Sequence, residues 1–183
     1  MAKILLGLDE VGRGCLAGPL YAAAVILRSP VVGLKDSKLL SKKQREELFD
    51  KIIENAEYAG IGYADSSFID KHGLTRANQY AMEQALLNMP VKYDQIIIDG
   101  NYNYLEHLPR SEAIIKADQK YQCVSAASII AKVTRDRIMY EYDKIYPGYN
   151  FLTNVGYPTK QHYQAIVALG TTPIHRSSFK LFR

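Results

Sequence analysis

Features that define several common protein classes are scarce in this chain of 183 residues. It contains two cysteines, Cys15 and Cys123, which are too few for a disulfide framework, so a reducing cytoplasm is the expected compartment. Its apolar runs are far shorter than a membrane span, so no membrane partner is expected. The length and an apolar fraction of 48% predict one globular domain, and a monomer is expected.

The motifs of several enzyme classes are also missing. There is no P-loop, and the glycine-containing segment 12–18 is one residue too long for G-x-G-x-x-G and follows two acids that would repel a pyrophosphate. The four histidines lack the spacing of a zinc site, and no G-x-S-x-G occurs. These absences argue against a phosphate-binding nucleotide loop, a zinc centre and a serine hydrolase.

Acidic residues are absent after Asp143. Residues 144–183 carry a charge of +5, whereas the rest of the chain carries −1. The same segment contains many aromatic residues, namely Tyr146, Tyr149, Phe151, Tyr157, Tyr163, Phe179 and Phe182. Basic and aromatic residues together are typical of nucleic-acid binding, and Lys160 and Arg176 are expected to contact phosphates. A solvated basic face over a small aromatic core explains the charge pattern equally well.

Apolar periodicity predicts an alternation of strands and helices. Strands are expected over 3–8, 21–27, 59–64, 95–98 and 112–116, and helices after Ser41 and over 75–87, 124–146 and 159–169. Ser41 and Gln44 have the capping-box spacing, and Thr159 and Gly170 are expected to bound the last helix. The order predicts an α/β fold with a mixed sheet, comprising a core over 1–143 and a basic, aromatic extension over 144–183.

Four acids follow the predicted strands. Asp9 and Glu10 follow the first strand, Asp99 follows the strand at 95–98, and Asp118 follows the strand at 112–116. Neighbouring side chains of a strand point to opposite faces, so Asp9 and Glu10 can share a site only if the strand ends there and the backbone twists. Hard oxygen ligands of this kind suit a divalent cation. Taken singly, each acid also fits a turn, a helix cap or an exposed loop.

Beyond these acids, ordered motifs resemble the ribonuclease HII family, the type 2 ribonucleases H. The resemblance spans nearly the whole chain and rests on Asp-Glu-Val-Gly-Arg-Gly at 9–14 with Ala-Gly-Pro at 17–19, and on the segments 34–38, 98–101, 116–118, 124–136, 156–162 and 173–179. Pro158 stands where glycine is more frequent in the family, and it restricts Tyr157 before it. This departure concerns the local loop shape.

The resemblance implies a fold and an activity. The fold would be ribonuclease H-like, a mixed central sheet flanked by helices with a C-terminal helical extension. The activity would be endonucleolytic cleavage of the RNA strand of RNA–DNA hybrids, and nicking of duplex DNA on the 5′ side of a single embedded ribonucleotide. The products would carry a 5′-phosphate and a 3′-hydroxyl, and the nick would open ribonucleotide excision repair.

The resemblance also implies roles for individual residues. Two Mg²⁺ or Mn²⁺ ions would be held by Asp9, Glu10, Asp99 and Asp118. The 2′-hydroxyl would be read by Gly12, Arg13 and Gly14, the sugar of the next deoxynucleotide would pack on Tyr157, and phosphates would contact Lys35, Ser37 and Lys38. Without the resemblance, Tyr157 fits an aromatic anchor of the last helix. A related nuclease or resolvase of the same fold and a non-catalytic hybrid-binding protein remain alternatives.

Overall fold

A five-stranded mixed sheet forms the centre of the protein, for which the computed structural model describes residues 3–34, 40–87, 89 and 92–182. In the order β3-β2-β1-β4-β5, the strands are β1 (Leu5–Val11), β2 (Leu20–Leu27), β3 (Ala56–Ala64), β4 (Gln95–Asp99) and β5 (Ser111–Ile114). β1 pairs antiparallel with β2 and parallel with β4. The carboxyl ends of β1 and β4 therefore meet at one edge of the sheet, where ligands of α/β folds gather.

Helices cover both faces of the sheet. They are α1 (Lys42–Asn55), α2 (Ser66–Ala85), α3 (Gln122–Ile145), α4 (Phe151–Asn154) and α5 (Lys160–Leu169), with a short 3-10 helix at Ala117–Gln119. β2 shows the alternation that produces two cores: Ala22 packs toward α2, whereas Ala23 packs toward α1 and α3. The predicted mixed sheet flanked by helices is confirmed.

Local signals place the ends of two helices correctly. The Ser41 hydroxyl accepts a hydrogen bond from the Gln44 amide, and the Gln44 side chain accepts one from the Ser41 amide, which completes the predicted capping box. Thr159 caps α5 by accepting from the His162 amide, and α5 ends before Gly170. Both predictions are confirmed because they depend on neighbours within one helical turn.

The helix predicted over 75–87 differs from α2. α2 begins at Ser66, with Asp65 capping it by accepting a hydrogen bond from the Phe68 amide, and it contains a break at Gly73, where φ is 77°. The prediction therefore captured the segment after the break and missed the segment before it. The whole of α2 nevertheless lies against the sheet and packs through Ile69, Ala77, Ala81 and Met82.

The C-terminal segment is joined to the core by an aromatic cluster. Tyr149 and Phe151 are buried and stack with their ring centroids 5.5 Å apart, in a cluster that also holds Leu16, Ala17 and Met139. The alternative that the tail aromatics form a small core is confirmed for this pair. Within the described residues, no helix has both the length and the apolar character needed to cross a membrane.

Candidate active site

The first strand does not end at its acids. β1 continues to Val11, because β2 keeps pairing with it through Asp9, opposite Ala23, and Glu10, opposite Ala22. The expectation that the strand stops at Asp9 is therefore wrong on the β2 side. On the other side, the parallel pairing with β4 ends at the pair Leu8 and Ile98. The β4-facing edge of β1 is thus free of strand pairing from Asp9 onward.

This free edge borders a cleft of about 310 Å³. Its walls bring together seven residues that sequence reasoning selected, namely Asp9, Glu10, Gly12, Arg13, Gly14, Asp99 and Tyr157, and four others, Val11, Arg45, Ser128 and Lys132. The acids and the glycine–arginine loop thus face one space, although they come from separate parts of the chain. The arrangement can present carboxylates and backbone groups to one ligand.

The carboxylates of Asp9 and Glu10 are held under electrostatic strain. Burial, then the Glu10 charge and then that of Asp99 raise the pKa of Asp9 well above its usual value, against hydrogen bonds from Ser128 and from the Glu10 amide. Burial and the charge of Asp99 also raise the pKa of Glu10, although Arg13 opposes this. Removing the proton from either acid is therefore costly until a cation compensates the charge.

One oxygen of Glu10 has no hydrogen bond of ordinary geometry in the part of the chain that the structure describes. Its Oε2 atom is buried and accepts no hydrogen bond within the described residues, whereas Oε1 lies 3.6 Å from the Arg13 guanidinium. The neighbouring Asn78 on α2 is fully buried and lowers the pKa of Glu10, yet neither amide atom of Asn78 forms a hydrogen bond of ordinary geometry. A buried carboxylate oxygen without a hydrogen bond of ordinary geometry fits a divalent cation, which prefers such hard oxygen ligands.

Asp99 and Asp118 lie on adjacent elements. Asp99 ends β4, and its Oδ1 atom accepts a hydrogen bond of 2.7 Å from the Ala117 amide at the start of the 3-10 helix. Asp118 follows within that helix and is buried, but it does not line the cleft. The expected strand over 112–116 is shorter, because β5 ends at Ile114 and the chain turns before Asp118.

The carboxylates share a cleft without forming a finished coordination shell. Among residues 3–34, 40–87, 89 and 92–182, no three His, Cys, Asp or Glu side chains are already arranged to hold a metal ion.

The two glycines of the loop after β1 have different structural requirements. At Gly12, φ is 91°, and an added Cβ would lie 2.3 Å from the Nε atom of the buried Arg135. Gly12 is therefore required by the fold. Gly14 has no such φ, and an added Cβ would meet nothing within 4 Å. Because Gly14 lines the cleft, its missing side chain leaves the backbone open to a ligand.

Arg176 binds the backbone of this loop. It is fully buried and donates to the carbonyl oxygens of Gly12 at 2.7 Å, Arg13 at 2.8 Å, and Gly18 at 2.8 and 3.1 Å. The expectation that Arg176 contacts phosphates is therefore wrong, since its guanidinium is satisfied by backbone carbonyls and shielded from solvent. Lys160, by contrast, is exposed. Sequence reasoning identified the charge of Arg176 but had no means of locating its partners.

Tyr157 also lines the cleft. Its half-buried ring lies 5.8 Å from the Lys132 Nζ atom, and burial raises the pKa of its hydroxyl. Its carbonyl oxygen lies 3.0 Å from Nδ1 of His162 in α5. Tyr157 thus faces the cleft while its backbone contacts the last helix.

Sequence reasoning missed several cleft residues. Ser128 and Lys132 are four residues apart on α3, so they lie on one face of the helix, and this spacing was an available signal. Arg45 enters from the first turn of α1, and its position depends on packing between distant segments. The predicted phosphate contacts Lys35, Ser37 and Lys38 lie outside the described residues.

Comparison with known proteins gives this cleft a family context. Residues 6–182 match the family model described as Ribonuclease HII. Ribonuclease HII of Coxiella burnetii is 46% identical, with the match covering 98% of this chain and 90% of that protein. The protein of the same name from Enterococcus faecalis is also 46% identical, with coverages of 97% and 69%. The chain belongs to the ribonuclease HII family.

Solved structures agree with this assignment. The ribonuclease H2 of Pyrococcus horikoshii superposes with a TM-score of 0.79 at 29% identity, over 97% of this chain and 94% of that one. The ribonuclease HII in a PCNA complex from Archaeoglobus fulgidus gives 0.81 at 25% identity, over 98% and 96%. A ribonuclease HIII in complex with Mn²⁺, at 21% identity and 0.72, shares the fold over 98% of this chain and 68% of that one.

Family membership establishes the general activity. The protein is a ribonuclease H, a metal-dependent nuclease of the hydrolase class, with endonuclease activity on the RNA of RNA–DNA hybrids. The alternatives of a resolvase and of a non-catalytic hybrid-binding protein are thereby set aside. The expected ribonuclease H-like fold is confirmed.

Proposed function

We propose that this ribonuclease HII nicks duplex DNA on the 5′ side of a single embedded ribonucleotide, in addition to cleaving the RNA strand of hybrids. The observation that carries this proposal is the shared cleft, in which buried acids face a glycine–arginine loop and the ring of Tyr157. A nuclease for lone ribonucleotides needs both a hydrolytic centre and a means of reading one 2′-hydroxyl. The cleft offers groups suited to each task.

The hydrolytic centre would use four acids and two Mg²⁺ or Mn²⁺ ions. The residues that would hold the ions are Asp9, Glu10, Asp99 and Asp118. When bound, such ions supply an activated water and stabilise the leaving oxygen. Glu10 offers a buried oxygen that accepts no hydrogen bond of ordinary geometry among the described residues, and Asp9 is held in place by the Glu10 amide, which donates to its Oδ1 atom at 2.7 Å. Asp99 is similarly held by the Ala117 amide, which brings Asp118 into the adjoining turn.

The reading of the 2′-hydroxyl would fall to residues 12–14. The Gly14 backbone faces the cleft with open space around its α-carbon, so a sugar hydroxyl can approach its polar groups. Arg13 is exposed and pairs weakly with Glu10 at 3.6 Å, so its donors are available for exchange to a ligand. The 2′-hydroxyl both donates and accepts, and it distinguishes RNA from DNA at one nucleotide.

Tyr157 would test the next sugar. Every residue of an RNA strand carries a 2′-hydroxyl, so the RNA-to-DNA junction requires a second contact. A half-buried ring on the cleft wall offers a flat apolar surface for a deoxyribose, on which an additional hydroxyl would be crowded or lose its water. This contact favours the junction over the interior of a hybrid.

The remaining expectations complete the proposal. The products would carry a 5′-phosphate and a 3′-hydroxyl, and the nick would open ribonucleotide excision repair in the cytoplasm. Residues 1–143 would form the catalytic core, and the extension over 144–183 would support it within a monomer. Lys35, Ser37 and Lys38 would contact phosphates of the duplex.

The proposal is tested by cleavage of a DNA duplex that contains one ribonucleotide. With Mg²⁺ or Mn²⁺, we expect a single nick on its 5′ side, giving a 3′-hydroxyl that a polymerase extends and a 5′-phosphate at the ribonucleotide. No cleavage is expected with a chelator. A nick on the 3′ side, or cleavage of all-RNA–DNA hybrids alone, would overturn the proposal.

Two glutamate substitutions serve as the test variant and its matched control in this assay. Glu10→Gln is expected to abolish cleavage because it removes a charged oxygen from the cleft. Glu112→Gln changes an exposed acid on β5, outside the cleft, and is expected to retain full activity. Full activity of the Glu10 variant would contradict the role of the acids.

A further inference from the structure

The loop that follows β1 is joined to the C-terminal segment along its backbone. The Gly18 amide donates to the Ile174 carbonyl at 2.8 Å, and the Arg176 amide donates to the Leu16 carbonyl at 2.8 Å. Between them, Ala17 and His175 form an isolated antiparallel bridge. These backbone contacts bring the Arg176 side chain to the carbonyl groups of Gly12, Arg13 and Gly18.

The guanidinium of Arg176 binds backbone groups of the loop. It donates to three loop carbonyls, on Gly12, Arg13 and Gly18. A guanidinium is a planar fork that stays charged, and burial lowers the pKa of Arg176 only to about 10. One side chain from the tail therefore fixes several peptide groups of the segment that we assign to reading the 2′-hydroxyl.

A second contact fixes the tail immediately after Arg176. The carboxylate of Asp70, on α2, accepts hydrogen bonds from the amide and hydroxyl of Ser177, both at 2.8 Å. It accepts two more from the amide and hydroxyl of Ser178, at 3.0 and 2.5 Å. These bonds lower the pKa of Asp70, although partial burial opposes them. An acid outside the cleft thereby holds the two residues that follow Arg176.

We propose that Asp70 and Arg176 act together as a positioning clasp for the loop over residues 12–18. Asp70 fixes the register of the tail, and the tail presents Arg176 to the loop carbonyls. A backbone that recognises one hydroxyl has to be held in its binding geometry beforehand, and the clasp provides that rigidity. The role of the loop in substrate reading rests on the proposed function, but the clasp itself can be tested without substrate.

Cys15 offers a direct reporter of the loop. It follows Gly14, its side chain is fully buried, and its thiol lies 3.8 Å from the Val155 carbonyl oxygen. The chain has two cysteines, so Cys123→Ala leaves Cys15 as the sole thiol. In that background, the rate of N-ethylmaleimide modification under native conditions measures how often the loop opens.

We expect Asp70→Ala to raise the Cys15 modification rate about tenfold, because charge-assisted hydrogen bonds to the tail are lost. Asp70→Asn, which keeps one acceptor oxygen, is expected to give an intermediate rate. The matched control is Glu83→Ala, since Glu83 is an acid on the same helix that pairs with Arg76 at 3.0 Å. That variant is expected to leave the rate near that of the parent.

Urea unfolding of each variant separates loop opening from global unfolding. The clasp predicts a rise in the Cys15 rate that exceeds the change in the global unfolding equilibrium. Equal modification rates in the Asp70 and Glu83 alanine variants, or a rise fully explained by lost global stability, would overturn the proposal.

Cleavage assays then connect the clasp to the substrate. Asp70→Ala is expected to reduce nicking at a single ribonucleotide several-fold more than cleavage within a long hybrid. A raised Cys15 rate with unchanged cleavage of both substrates would contradict the reading role that the proposed function gives to the loop, while the clasp would stand.

Discussion

Two acids and two arginines are withdrawn from water around the same loop. Asp9 is 8% exposed and the Glu10 side chain 14%, whereas Arg135 and Arg176 are fully buried. The arginines are satisfied by backbone carbonyls, with three hydrogen bonds from Arg135 and four from Arg176. The acids repel each other, and a Glu10 oxygen accepts no hydrogen bond of ordinary geometry among the described residues.

The difference shows how a buried charge can be assigned to function or to architecture. A charge whose hydrogen-bonding capacity is met by the protein stabilises the fold, and its removal leaves unpaired groups behind. A buried charge that the protein leaves unmet lowers stability, and it is retained where a ligand supplies the missing partner. On this basis the acids belong to catalysis and the arginines to the support of the loop.

The largest expected effect is the loss of cleavage activity when an acid of the cleft is replaced. Asp9→Asn should reduce metal-dependent cleavage by about a thousandfold or more, because metal stabilisation of the transition state is worth several kcal/mol and each 1.4 kcal/mol is tenfold. Stability should be retained, since the Asn oxygen still accepts from the Glu10 amide. Single-turnover cleavage rates and circular dichroism check both points. Substantial activity in the folded variant would place Asp9 among the structural charges.

For Arg176, by contrast, the main expected effect of substitution is a loss of stability. Arg176→Met should lower the free energy of unfolding by about 3 kcal/mol, because three loop carbonyls lose the hydrogen bonds that a buried guanidinium donates to them. Lys180→Met, at an exposed position nearby, should change it by less than about 0.5 kcal/mol. Urea unfolding measures both values. Wild-type stability of the Arg176 variant would contradict its structural role.

The two glycines of the loop allow structural and functional roles to be compared within one segment. Gly12→Ala should cost at least about 1–2 kcal/mol of stability, because of its left-handed φ and the approach to Arg135. Gly14→Ala should stay within about 0.5 kcal/mol of the wild type. It should nevertheless slow nicking at a single ribonucleotide about tenfold, the equivalent of one lost hydrogen bond. Unfolding curves and cleavage rates measure these effects. Full activity of Gly14→Ala would contradict the proposed contact between the Gly14 backbone and the substrate.

The last expected effect concerns pH and the C-terminal segment. Burial and the neighbouring His162 lower the pKa of His175 to about 4 from its usual 6.5. The unfolded chain therefore takes up a proton before the folded one as the pH falls from 6.5 to 4, and stability is lost across that window. His175→Asn, which can still accept from the Thr172 amide, should lose less stability over the same range. The measurement is the melting temperature of both proteins at pH 6.5 and at pH 4.5. An equal decrease in the two proteins between these pH values would contradict this prediction.

Local and distant interactions set the limits of prediction from sequence. The capping box at Ser41 and the cap at Thr159 were predictable because their partners lie three residues away. The ends of β1 and β4 were predictable as a meeting point of acids, since parallel strands share an edge. The continuation of β1 through Glu10 was not, because it depends on β2 pairing along one side.

The tail gives the clearest case of what the sequence could not decide. The charge of Arg176 was visible, but its three carbonyl partners lie more than 150 positions earlier in the chain. The same holds for Asp70, which meets Ser177 and Ser178 only after folding. Partners brought together by tertiary packing decided whether each of these charges meets solvent or protein.

The most direct test compares metal-free and Mg²⁺-bound stability of wild type and Glu10→Gln by urea unfolding. Without metal, the variant is expected to be at least as stable as the wild type, because the mutation removes a desolvated charge that repels Asp9 and Asp99. Mg²⁺ should then stabilise the wild type and have a smaller effect on the variant. A metal-free variant that is clearly less stable, with the same response to Mg²⁺ as the wild type, would contradict the claim that these acids are held for a cation.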